Sequence, residues 1–245
     1  GNGRLWSVPD FQLIRSYDLG KEAWVVAFRP DGKEFATTGV EGVIQRWDVE
    51  SDRAVAEYQS TGSSCCTLIY SRDGRYLVTA GMDDAISQWD LDTGQVVRRI
   101  ATPNGVINKI ALSPDGKWLA AADETGLGLL WDWEKGDLIY QREAHMISRQ
   151  LGVLGAIWVE FSPDGNTLLS TGCDATAKSW DRATGTLNFT LESFVSRVWS
   201  AGYATDERTI VTTTEGLVQF WDARTGEEKP SWIRGDGASK RAMLL

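Results

Sequence analysis

Apolar and polar residues alternate with a period of two in short runs along this chain. Val43-Ile44-Gln45-Arg46-Trp47, Ala85-Ile86-Ser87-Gln88-Trp89 and Leu217-Val218-Gln219-Phe220-Trp221 are examples. Successive side chains of a strand point to opposite faces, so this pattern predicts half-buried β-strands. Each run closes on a Trp-Asp pair: Trp47-Asp48, Trp89-Asp90, Trp131-Asp132, Trp180-Asp181 and Trp221-Asp222, with a weaker copy at Trp6-Ser7. Successive Trp are 41, 42, 42, 49 and 41 residues apart. A fixed period of this length marks a repeat architecture.

Turn residues hold the same register. Five positions after the Trp stands Gly94, Gly136, Gly185 or Gly226, with Asp52 in the first copy. A tight hairpin needs positive φ there, which Gly adopts freely and Asp tolerates. A further short strand follows, as in Gln95–Ile100 and Thr186–Leu191. Upstream, Pro30-Asp31-Gly32, Pro114-Asp115-Gly116 and Pro163-Asp164-Gly165 are type I turn sequences. Arg72-Asp73-Gly74 is a weaker copy and Thr205-Asp206-Glu207 a degenerate one. The apolar residue before each turn (Phe28, Tyr70, Leu112, Phe161, Tyr203) precedes the Trp by 19, 19, 19, 19 and 18 residues. Each unit is therefore predicted as a four-stranded antiparallel sheet, which must stack on its neighbours to bury both faces.

This pattern resembles the WD-repeat family of β-propellers, with repeats of bacterial style in their Ser-Pro-Asp-Gly turns. The resemblance covers nearly the whole chain and implies an all-β fold with five complete blades and one split, incomplete blade. Residues 18–60, 61–102, 103–143, 144–193 and 194–234 are the complete repeats. Gly3–Val8 and Phe11–Tyr17 are the third and fourth strands of the split blade. Residues 235–245, with Ser239–Leu245 as a strand, are a candidate first strand for it. No second strand for that blade is visible, so the ring stays incomplete or belongs to a longer propeller.

The resemblance also assigns roles. Trp47, Trp89, Trp131, Trp180 and Trp221 fill the space between blades. In the family this Trp joins a hydrogen-bonded set with a His, a second-strand Ser or Thr, and an Asp before the third strand. Here the fourth unit alone matches, with His145, Ser170, Asp174 and Trp180. Leu19, Thr61, Pro103 and Phe194 occupy the other His slots, so the remaining blades are expected to rely on packing.

Composition narrows the function. The chain has 245 residues, 42 % hydrophobic and 24 % charged, and a net charge of −9. An acidic chain is a poor partner for nucleic acid or an anionic membrane, both of which need excess positive charge. No apolar run reaches the ~20 residues of a membrane span. No signal peptide is visible, which points to the cytoplasm, although the chain opens at Gly1-Asn2-Gly3 without a Met. Cys65, Cys66 and Cys173 form no C-x-x-C pair or spaced framework and read as reduced thiols.

Catalytic sets are missing from the sequence. With one His, a Ser-His or Cys-His pair would have to use His145, which already has a structural role. No His or Cys pair has zinc-ligand spacing, and neither metal nor cofactor is expected. Gly126-Leu127-Gly128 lacks the third Gly of a dinucleotide loop and opens no helix. The Asn188-Phe189-Thr190 sequon lies inside a fourth strand. Asp31, Asp73, Asp115 and Asp164 recur at one turn, and the Asp beside each Trp recurs five times, so neither set is a unique acid or base.

Binding is the better reading. In the family, the start of the first strand and the turn before the third strand face one mouth of the channel. Trp24, Cys66, Asn108, Ile157 and Trp199 occupy the first position, and Glu41, Asp83, Glu124, Asp174 and Glu215 the second. Carboxylates around two indoles suit a Lys or Arg of another protein through ion pairing and cation–π attraction. Packing of the Trp between blades and amide capping by the carboxylates are the competing roles. The fourth unit is also longer, and its surplus, Met146–Gly155, is apolar and includes Met146, Ile147 and Leu151. It is either a contact site at the same mouth or a plug over the channel. The expected function is a non-catalytic scaffold that binds other proteins within a multi-protein complex. The alternative is a regulatory or sensor domain of a larger bacterial protein with a kinase or nucleotide-hydrolase domain.

Overall fold

The fold was obtained as a computed structural model, which describes residues 1–8, 10–60, 64–103, 105–146, 155–192 and 196–230. Within these, every regular element is a β-strand, and all the sheets are antiparallel. The first sheet pairs β1 (Asn2–Trp6) with β2 (Leu13–Asp18). Five four-stranded sheets follow in chain order. The first blade holds β3 (Ala23–Phe28), β4 (Glu34–Gly39), β5 (Val43–Asp48) and β6 (Ala54–Gln59). The second holds β7 (Cys65–Tyr70), β8 (Tyr76–Gly81), β9 (Ala85–Asp90) and β10 (Gln95–Ala101). The third holds β11 (Ile107–Leu112), β12 (Trp118–Asp123), β13 (Leu127–Asp132) and β14 (Asp137–Glu143). The fourth holds β15 (Ala156–Phe161), β16 (Thr167–Gly172), β17 (Ala177–Asp181) and β18 (Leu187–Leu191). The fifth holds β19 (Ser200–Tyr203), β20 (Thr209–Thr213), β21 (Val218–Asp222) and β22 (Glu228–Lys229). The chain divides into two compact units, Gly1–Val106 and Ile107–Leu245.

The turns are built by the residues their sequence marked. Asp52, Gly94, Gly136, Gly185 and Gly226 all have positive φ. In the Pro-Asp-Gly turn the carboxylate of Asp31, Asp73, Asp115 or Asp164 accepts from the amide two residues on, at 3.0–3.1 Å. Asp206 does the same for Arg208 N, and Glu207 takes the positive φ that Gly has elsewhere. The carboxylates beside the Trp also bind amides: Ser51 N donates to Asp48 Oδ1, and Thr93 N to Asp90 Oδ1. These bonds satisfy turn amides that have no strand partner.

Four of the five Trp-Asp strands are bulged against their outer neighbour, and Trp221 pairs with Glu228 without a slip. The register slips at Trp47, Trp131 and Trp180, and at Val96/Arg98 opposite Trp89, leaving Val55, Ile139, Asn188 and Val97 as extra residues. The β1–β2 pair slips at Trp6 in the same way. It therefore has the local geometry of a third and fourth strand. Its boundaries differ from the expected Gly3–Val8 and Phe11–Tyr17, because Phe11 takes φ 52° inside the turn and β2 opens only at Leu13. The proposed first strand at Ser239–Leu245 lies outside the described residues.

Packing follows from this repetition. In the first unit Trp89 packs with Ala36 and Ile44 of the preceding blade, while Trp47 packs with Tyr17 of β2. In the second unit Trp180 packs with Ala120 and Leu130, and Trp221 with Leu169 and Leu191. The indoles thus fill the spaces between adjacent sheets. Cross-blade hydrogen bonds add to them: Tyr17 Oη donates to Val49 O and Tyr140 Oη to Arg182 O, both at 2.9 Å. Arg46 reaches from the first blade to Leu91 O at 3.1 Å while holding Glu34 and Tyr58.

Candidate functional site

The register places a hydroxyl beside four of the five indoles. Trp47 pairs with Phe35, Trp89 with Leu77, Trp180 with Leu168 and Trp221 with Ile210. Two residues further along the second strand, on the same face, stand Thr37, Thr79, Ser170 and Thr212. The indole Nε1 donates to each, at 3.2, 2.9, 2.9 and 2.9 Å. Three of the blades expected to rely mainly on packing thus add one such bond to it. The Trp-to-hydroxyl bond needs only two neighbouring strands in register, so it survives where the His does not. In the third blade Ala121 holds this position and offers Trp131 no hydroxyl.

In the fourth blade the bond extends into a relay. His145 Nε2 lies 2.8 Å from Ser170 Oγ, and Nδ1 lies 3.0 Å from Asp174 Oδ1. An ionised carboxylate only accepts, so Nδ1–H donates to Asp174 and Nε2 accepts from Ser170, whose oxygen accepts from Trp180. Burial pushes the His145 imidazole below its usual pKa despite the neighbouring carboxylate. Burial raises the Asp174 carboxyl, but His145, Thr176 and the Met146 amide outweigh it and bring it to about 2. Gly172 makes the relay possible, because a Cβ there would lie 2.4 Å from the imidazole. The site is a closed structural network with no exposed reactive atom.

The first-strand positions share a geometry that spacing did not reveal. Trp24, Cys66, Asn108 and Ile157 are the extra residues of β-bulges in β3, β7, β11 and β15. A bulge bends the strand and re-aims a side chain. Trp199 instead lies just before β19, where its amide donates to Thr213 O. The turn before the third strand sits at the same edge of each sheet, since Ala23 pairs with Gly39 and Ala156 with Gly172.

The carboxylates at this edge have partners within their own blades. Lys21 Nζ lies 2.8 Å from Glu41, which sits at φ 67°, and its hydrogen bond holds that carboxyl below the usual range. Arg99 lies 3.4 Å from Asp83 and Arg197 3.9 Å from Glu215. Asp174 is engaged by His145, Thr176 and Met146 N. The Arg197 guanidinium lies 5.0 Å from the centre of the Trp199 ring, so the chain itself supplies a cation there. Trp24 is 42 % exposed, Ile157 is half-buried and Met146 is 76 % exposed. Ile147 and Leu151 lie outside the described residues, as does most of the insertion. Sequence reasoning missed Lys21, Arg99 and Arg197, which stand far along the chain from the carboxylates they meet.

Four-stranded antiparallel blades, with Trp47, Trp89, Trp180 and Trp221 each packed against the preceding sheet of the same unit, define a β-propeller repeat protein. The WD domain, G-beta repeat family matches residues 54–90, 94–132 and 143–181, so the chain carries WD repeats at these three positions. No curated protein matches it. Each matched stretch ends on the Asp of a Trp-Asp pair. The first begins with β6 and continues through β7, β8 and β9, so the sequence repeat bridges two consecutive sheets.

Proposed function

We propose that this protein is a non-catalytic scaffold that binds other proteins, as WD repeats generally do, through the blade edges where the first strands open. The observation that carries this reading is Trp24. It is a large indole on a bulge at a sheet edge, 42 % exposed, in a fold that buries Trp47, Trp89, Trp131 and Trp221. Exposed Trp at such an edge is a preferred anchor for a partner. Glu41 lies at the same edge, and its partner Lys21 is itself solvent-exposed. A surface ion pair is worth only ~0–1 kcal/mol, so a Lys or Arg of a partner displaces Lys21 at small cost.

Trp199 plays a lesser part, since Arg197 already covers its ring. Glu215, Ile157 and Met146 supply further candidate contacts in the second unit, while the side chains of Asp83 and Asp174 are largely buried and held by Arg99 and His145. Affinity capture with wild-type, Trp24→Ala and Trp199→Ala proteins, each checked for intact folding, tests the reading. Trp24→Ala is expected to lose at least about tenfold in partner retention, the effect of removing a ~2 kcal/mol anchor. Trp199→Ala is expected to lose less. Equal retention by all three folded proteins overturns the assignment.

A further inference from the structure

The five first strands carry only two charged side chains, Lys109 on β11 and Glu160 on β15. At the place of Lys109 other blades have Val25, Thr67 and Ser200, and at the place of Glu160 they have Ala27, Ala111 and Gly202. The break in the repeat is local, because β11 and β15 are neighbours in the second unit. Both charged residues and Trp158 are half-buried.

Trp158 lies between them. The Lys109 ammonium is 3.9 Å from the centre of its ring, and its Nε1 donates to Glu160 Oε2 at 3.2 Å. The charges themselves do not close into an ion pair, which would bring them within 4.0 Å. Among the described residues Lys109 Nζ has no hydrogen-bond acceptor. On β19, Gly202 puts no side chain against the carboxylate, where a Cβ would lie 3.3 Å from Glu160 Oε2. Two partly desolvated opposite charges are costly unless each is fully hydrogen-bonded. Burial lowers the pKa of Lys109 and raises that of Glu160, as expected for charges that lack full partners.

A group that fits between them must accept from the ammonium and donate to the carboxylate. A carboxylate ligand meets repulsion from Glu160, and an ammonium ligand meets repulsion from Lys109. We propose that Lys109, Glu160 and Trp158 form a binding site for a primary carboxamide, its oxygen accepting from Lys109 Nζ and its NH2 donating to Glu160. The carboxamide belongs either to a free small amide or to the side chain of an asparagine or glutamine in a bound polypeptide.

The test is a titration of the full chain followed at the Trp158 indole N–H resonance, assigned by its loss in Trp158→Phe. The probes are acetamide, acetate and methylammonium, then a short peptide with a central glutamine and its glutamate counterpart. Acetamide is expected to give a saturable shift, weakened about tenfold or more in Lys109→Met and in Glu160→Leu, the loss expected for one hydrogen bond to a charged group. Tighter binding of the glutamine peptide than of acetamide identifies a polypeptide ligand, and equal binding a free amide. Acetate or methylammonium acting as strongly as acetamide overturns the proposal. So does the absence of a saturable amide shift in the wild-type protein, a result that needs no variant to fold.

Discussion

One position decides how each indole is held. Thr37, Thr79, Ser170 and Thr212 all accept from their Trp, while Ala121 leaves Trp131 with packing alone. Ala121 borders a small apolar cleft of about 30 Å³ between the third and fourth blades, lined also by Leu129, Val159 and Trp180. Added atoms therefore have room there, unlike in a filled core. Ala121→Thr is expected to raise stability by about 1 kcal/mol, the net value of one hydrogen bond. Chemical denaturation at constant slope checks this, and an unchanged or lowered midpoint refutes it. At the same scale, the recurring Asp carboxylates hold turn amides, so their recurrence is explained by local structure.

At the scale of the element, the fourth blade is tied by a relay the others lack. Its strength depends on pH with a sign that the environment fixes. The His145 pKa lies below its unfolded value of 6.5, so in the intervening range the unfolded chain binds the extra proton. This contribution is full above pH 6.5 and is lost as pH falls through the folded pKa. Asp174 adds a second loss as pH falls from 3.8 to about 2. The melting temperature of the wild type is thus expected to fall on acidification from pH 7 to pH 5 more than that of His145→Gln. Parallel profiles would show that the relay carries no linkage. Gly172→Ala, by displacing the imidazole, is expected to flatten the wild-type profile in the same way.

The chain has a net charge of −9, and the proposed partner is accordingly expected to present a basic segment. Charge of this kind acts mainly on the encounter. Association of such a partner is expected to slow by about tenfold from low to high salt while dissociation changes little, as read by surface-binding kinetics. A salt-independent association rate argues for an apolar contact instead, with Met146 a candidate. The two compact units each carry candidate contacts, with Trp24 and Glu41 in the first, and Ile157 and Trp199 in the second.

The five four-stranded repeats, their strand order and the Trp-Asp landmarks were legible in the chain, because local rules set them. Alternation fixes strands, Gly and Asp fix turns, and a constant interval fixes the repeat. The His145 set was legible for the same reason, since its members fall at set offsets from Trp180. What pairs across strands was not legible. The bulges that turn Trp24 and Ile157 out of the ladder depend on register between strands. The Lys21, Arg99 and Arg197 partners that occupy the edge carboxylates, and the meeting of Lys109 with Trp158 and Glu160, depend on which residues of distant segments come together. Periodicity constrains a residue against its sequence neighbours. Only packing of sheet on sheet decides whether an indole is buried like Trp131 or left exposed like Trp24, and whether two charges meet or stay apart.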